Sequence, residues 1–162
     1  MIPLRVDMKH WFWLGLLLAT FSAPAAAQVP DFDLGRLGFL DQWDQPLPNP
    51  GSVKWVLTGR DMESRKWAHE AFEARGRSWM EAKGLVFIAD ISGMPKLITK
   101  FMALPKMRGY SYSLYLDKEG LWVKTWPGEE GRLTLVKMNQ GHPQESFILA
   151  GLAELDQALG GP

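Results

Sequence analysis

Two hydrophobic periods alternate along this chain. "SVKWVLT" (Ser52–Thr58) is apolar over a strand's length, and beyond it Trp67, Ala68, Ala71 and Phe72 recur at i, i+1, i+4 and i+5. That spacing predicts an amphipathic helix from Met62 to about Arg75, with Asp61 as its N-cap. Gly76 breaks the pattern, so "RSWMEAKG" reads as a short extra turn. "LVFIADI" (Leu85–Ile91) is apolar almost throughout, as in strands buried on both faces of a parallel pair. Pro95 suits the first turn of a second helix, which Pro105 ends or bends. "YSYSLYL" (Tyr110–Leu116) alternates as a strand. "DKEG" then turns the chain, and "LWVKTW" (Leu121–Trp126) returns it as a hairpin. "PGEEG" is a further turn, "RLTLVKMN" a further strand, and "QGHPQ" another turn. A closing helix over Ala150–Leu159 aligns Leu152, Leu155 and Leu159. The order is β-α-β-α-β-β-β-α, which implies an α/β protein with a mixed sheet covered on both faces.

The N-terminal part of the hydropathy profile differs from this core. Arg5 and Lys9 precede the apolar stretch "WFWLGLLLATF" (Trp11–Phe21), and "SAPAAAQ" follows, with Ala25 and Ala27 placed for cleavage before Gln28. This is a secretory signal pattern over residues 1–27; the apolar stretch is shorter than the ~20 residues a membrane span needs. No membrane span is expected after cleavage, and the protein is expected to be exported, to the periplasm in a Gram-negative cell. Residues 28–51, "QVPDFDLGRLGFLDQWDQPLPNPG", are acidic and rich in Pro and Gly. They read as an extended arm with one short hairpin around "GFLDQWDQPL", leading into a domain over residues 52–162.

Net charge is zero, with 18 basic and 18 acidic side chains, so there is no electrostatic footprint for nucleic acid. The chain has no cysteine, so no disulfide staples the exported domain and packing must hold it. Of its eight Trp, only Trp11 and Trp13 lie in the leader, leaving large aromatics to fill the core.

Three stretches carry a resemblance to the thioredoxin-like superfamily, covering about Phe39–Leu159. "GFLDQWDQPLP" resembles the N-terminal hairpin of its redoxin branch. "KWVLTGRDMESRKWAHEAF" resembles the first core strand and the helix bearing the active site. "KMRGYSYSLYLDKEG" resembles the loop, strand and turn in which a cis-proline precedes the third core strand. More narrowly the chain resembles small exported proteins of the YtfJ-like group, some of whose relatives are labelled FAD/FMN-containing dehydrogenases. The resemblance implies a thioredoxin-like three-layer α/β/α sandwich. It also implies a redox thiolate within "DMESRK" and a cis-proline where Ser111 stands, and both residues are missing. Thiol–disulfide exchange and thiol peroxidase chemistry are excluded, because no sulfur nucleophile exists. A trans bond is expected before Ser111.

If the strand starting at Tyr110 runs antiparallel to the first core strand, the Arg108–Ser111 loop lies over the start of the Met62 helix. Thr58, Arg60, Asp61, Ser64, Arg108, Tyr110 and Ser111 would then form a vestigial site. Its helix N–H groups and two guanidiniums would suit an anion or a chain carbonyl. The competing reading is that Asp61 and Glu63 already satisfy the helix start. His69 and Glu73, at i, i+4, form either a solvated pair or an oriented base; two distant His and no Cys make a poor metal set. Ser64 and His69 point about 140° apart on the helix and cannot pair. Lys96, Lys100, Lys106 and Arg108 form a positive stretch around Met94, Met102 and Met107. It is either a docking surface for an acidic partner or a solvated helix face with the methionines in the core. No G-x-G-x-x-G is present, so no flavin or other cofactor is expected. The function expected is a redox-inactive, non-enzymatic binding or interaction module of the cell envelope, taking a protein, a peptide or a small anionic ligand. The alternative is an enzyme of non-thiol chemistry at the degenerate site.

Overall fold

The computed structural model describes residues 26–161, so the predicted leader lies outside the described residues apart from Ala26 and Ala27. The strands are β1 (Ala26–Ala27), β2 (Leu40–Asp41), β3 (Trp55–Gly59), β4 (Leu85–Asp90), β5 (Leu114–Asp117), β6 (Leu133–Asn139) and β7 (His142–Leu149). The helices are α1 (Met62–Lys83), α2 (Lys96–Ile98), α3 (Leu104–Met107) and α4 (Leu152–Ala158). One sheet runs in the order β1-β7-β6-β3-β4-β5-β2. β3 pairs in parallel with β4, and β4 with β5, while β6 is antiparallel to both β3 and β7. A parallel βαβ unit, an antiparallel hairpin on its first strand and a closing helix make an α/β, thioredoxin-like arrangement.

Alternation along the central strands divides two cores. Leu57, Phe87 and Leu135 face α1 and α4 and meet Ala68, Phe72 and Leu155. Val56, Ile88 and Val136 face the other way. The covering layer there is the 28–51 arm, through Phe32, Leu34 and Phe39, together with Val123 and Trp126. Phe32 stacks on Trp126 at 4.9 Å between ring centroids. The third layer of the sandwich is thus the arm and a 3-10 turn (Val123–Thr125); α1, α4 and the residue 94–107 segment all pack on the other side.

Several local expectations change, each for a physical reason. Gly76 does leave helical geometry (φ 77°, ψ 175°), but helix resumes beyond it, so "RSWMEAK" is the last third of α1. Upstream of Pro105 the ladder widens to π spacing over Thr99–Ala103, joining α2 to α3: the proline bends the helix, which ends at Met107. The strand expected from Tyr110 begins only at Leu114, and it runs parallel to β4 instead of antiparallel to β3. Leu121–Trp126 is no strand. The Asp117 carboxylate accepts the N–H groups of Gly120, Leu121, Trp122 and Val123 at 2.9–3.3 Å, which winds this segment into a turn. β7 takes its place as the third strand. Its hairpin with β6 turns on Gln140 (φ 50°) and Gly141 (φ 86°), a two-residue loop of the kind that follows strand twist. Pro143 sits beside a register shift between Lys137 and Met138, where its missing N–H is tolerated. The expected hairpin near "GFLDQWDQPL" is small: β2 pairs with β5, and Leu40 bridges Pro46. Of the closing stripe, Leu155 and Leu159 are buried and Leu152 is exposed.

Candidate functional site

β3 delivers the chain to α1 through Gly59, where a Cβ would lie 2.7 Å from Ser64 Oγ and 2.8 Å from a Leu133 methyl. Asp61 is the N-cap. Its Oδ1 accepts the Ser64 N–H at 2.8 Å and its Oδ2 accepts the Gly131 N–H at 2.7 Å. Burial pushes this carboxyl up, but the backbone donors of Ser64 and Gly131 outweigh burial and hold it below its ordinary value. Arg60 donates to the carbonyls of Trp126 and Lys124. Arg65 donates to the carbonyls of Asp61 and Asp90 at 2.9 and 2.7 Å. The helix start is therefore closed by its own carboxylate and by the 127–132 loop before β6. A hollow of about 310 Å³ beside it is lined by Arg60, Arg65, Asp90 and Lys124. Lys124 is taken up there by Asp90 and Ser92. Thr58 shares the register face of Val56 and Ile88, so its buried hydroxyl lies on the arm side of the sheet, away from α1.

The other three residues of the expected site lie elsewhere, because the strand after them is β5, two places from β3. Arg108 donates to the Gln42 carbonyl at 2.8 Å and pairs with Asp44 at 3.6 Å, at the β2 edge. The Ser111 N–H donates to Glu73 Oε1 at 3.0 Å, and its hydroxyl reaches the Phe72 and Glu73 carbonyls. That contact is about 18 Å along α1 from Asp61. The seven residues thus split: Thr58, Arg60, Asp61 and Ser64 stay together at the β3–α1 junction, whereas Arg108, Tyr110 and Ser111 do not join them. No cis peptide occurs among the described residues. The loop that does cap the junction, 127–132, shows only as "PGEEG" in the sequence, with nothing local to mark the Gly131 N–H as its contact.

Between α1 and the residue 96–107 segment runs a groove of about 950 Å³. Phe87, Ala89, Ile91 and Leu114 form its sheet-derived floor; Met94, Ala103 and Met107 line one wall and Met62, Lys66 and His69 the other. His69 does not pair with Glu73. Its Nδ1 lies 3.0 Å from the Tyr112 hydroxyl, and its ring lies 4.2 Å from that of Tyr110. Tyr110 and Tyr112 stack at 5.5 Å. Burial first, then Tyr110 and Glu73, push the Tyr112 phenol far above its ordinary range, so it stays protonated and can donate. Burial and Glu73 raise Tyr110 too. Lys66 pairs loosely with Glu70 at 4.0 Å, and Lys106 on the rim has no acidic partner among the described residues. No group of three or more His, Cys, Asp or Glu suited to a metal occurs among the described residues. The groove was not legible beforehand, because it needs the 94–107 segment on the same sheet face as α1.

Gln42 secures this geometry from the arm. It is fully buried, donates to the Tyr112 carbonyl at 2.8 Å and accepts the Leu114 N–H at 2.8 Å. It thereby holds the chain between the two tyrosines and β5.

No protein-family model matches the sequence, and no curated protein matches it. Among solved structures the chain is similar to a protein described as a disulfide isomerase from Bacteroides thetaiotaomicron, with TM-score 0.49, 17% identity and coverage of 82% of this chain and 83% of that one. It is also similar to the peroxidoxin BcpB of Mycobacterium tuberculosis, with TM-score 0.45, 17% identity and coverage of 85% and 94%. A protein described as the thiol:disulfide interchange protein DsbE, from Chlorobium tepidum, gives TM-score 0.43, 16% identity and coverage of 82% and 91%. The chain itself has no cysteine, so thiol chemistry is not open to it.

Proposed function

We propose that this protein is an exported binding module without thiol chemistry, of the YtfJ-like kind, and that its ligand is a small apolar molecule with an anionic or hydrogen-bonding head. The observation that carries this reading is the groove between α1 and residues 96–107. Its volume of about 950 Å³ lies within the usual range for small-ligand sites. An apolar floor accepts the body of such a ligand. The Tyr112–His69 pair and the unpaired Lys106 supply the polar groups that orient its head. The β3–α1 junction is the weaker candidate, because the Asp61 carboxylate already accepts the Ser64 and Gly131 N–H groups that an anion would use. The alternative, an enzyme of non-thiol chemistry, draws on one observation: His69 and Tyr112 are hydrogen-bonded inside a cavity, an arrangement fit for proton transfer.

Anilinonaphthalene sulfonate, an apolar dye with an anionic head, is a suitable probe. It should bind with one-to-one stoichiometry. Ala103→Trp, which fills the groove from one wall, should weaken binding about tenfold or more. Tyr112→Phe should weaken it less. A folded Ala103→Trp variant, checked by circular dichroism, that binds the dye as tightly as the parent would exclude the groove as the site.

A further inference from the structure

The outer face of the residue 96–107 segment points away from the groove, and its composition is unusual for a solvated helix side. Leu97, Ile98, Phe101 and Met102 recur at i, i+1, i+4 and i+5, and they are 72%, 46%, 66% and 67% exposed. Lys96 and Lys100 sit among them, both exposed and without an acidic partner among the described residues. No acidic residue occurs between Asp90 and Asp117. Met102 is therefore not in the core, whereas Met107 is buried and Met94 packs against the core, as expected of the methionines in this stretch.

We propose that this face lies on an anionic lipid surface. A short helix with contiguous aliphatic and phenyl groups and flanking lysines is suited to the interface plane of a bilayer. The apolar side chains enter the acyl boundary and the lysine stems follow them, leaving the ammonium groups among anionic headgroups. Two features favour lipid over a protein partner. Protein–protein interfaces are depleted in Lys, whereas this patch sets two lysines among its aliphatic residues with no acidic residue between Asp90 and Asp117; Phe101 and Met102 suit either kind of surface. The patch also shares no residue with the groove, which the 94–107 segment lines through Met94, Ala103, Lys106 and Met107 and which is the place where an anchoring side chain could seat. No helix among the described residues is long and apolar enough to cross a membrane, so the contact is one of lying on the surface.

Because the chain has no cysteine, Met102→Cys creates a single thiol for an environment-sensitive fluorophore on the full-length protein. Gln144→Cys, exposed on β7, is the control. The label at residue 102 should shift to the blue with phosphatidylglycerol/phosphatidylcholine vesicles and not with phosphatidylcholine alone, and the control label should not shift. Adding Lys96→Gln and Lys100→Gln should lower partitioning about thirtyfold, and added salt should have the same sense of effect. Phe101→Ser should lower it about tenfold or more at any salt. The apolar stretch Trp11–Phe21 is common to every variant, and the label reports the surroundings of residue 102 alone. Vesicle binding without a shift at residue 102 would overturn the proposal, as would a shift that survives loss of both lysines. A shift appearing without lipid as protein concentration rises would assign the face to a second copy. One produced by an acidic peptide alone would assign it to a protein partner.

Discussion

Asp61 shows how far a single residue can be read ahead of the fold. Its place before an amphipathic stretch marks it as a helix cap, and it is one. Its second bond, to the Gly131 N–H, joins positions remote in sequence and leaves no local trace. Asp61→Ala removes both acceptors and should lower stability by about 2 kcal/mol, measured by urea unfolding near neutral pH. The pH dependence follows from the direction of its shift. The folded carboxyl sits below its unfolded value, so its contribution is complete above the unfolded pKa and is lost as pH falls below about 4. The parent and Asp61→Asn curves should therefore converge in acid. A gap that stays constant through that range would show that the ionised carboxylate adds nothing. Gln42 is the opposite case. Within "GFLDQWDQPL" it looks like any hairpin polar residue, and only the assembled fold buries it completely.

At the scale of elements, the helices and central strands were legible because period and burial agree in them. β3, the first half of α1, β4 and β6 lie near where their apolar spacing puts them. The errors in strand assignment fall between Tyr110 and Leu149, where side chains compete with backbone pairing. "LWVKTW" alternates like a strand, yet the Asp117 carboxylate gathers four N–H groups that a ladder would have needed. That misreading displaced one strand and carried the expected binding loop to the wrong end of α1. Asp117→Ala should release the turn and leave buried donors unpaired, at a cost of about 3 kcal/mol. Hydrogen exchange should show it first as lost protection at Val123. Unchanged protection there would mean that packing of Val123 and Trp126 holds the turn without the carboxylate.

For the molecule as a whole, the α/β class and mixed sheet followed from element order, while the identity of the second covering layer did not. No local pattern in the Pro- and Gly-rich arm says that Phe32, Leu34 and Phe39 replace a helix; their burial depends on Trp126, from a distant part of the chain. Trp126→Ala should cost about 3–5 kcal/mol and should make the arm the first site of limited proteolysis. A variant equally destabilised but cut first in the 127–132 loop would contradict the pairing of arm and tryptophan. This arrangement also sets an order in time. The arm leaves the ribosome well before the segments it packs on: its stacking partner Trp126 and the Gly141 carbonyl that accepts the Leu34 N–H are made roughly a hundred residues later. At about 5–20 residues per second the arm waits about 5–20 s with its phenylalanines uncovered. The segment that seals the finished sheet is, during synthesis, the part of the chain longest in need of a chaperone.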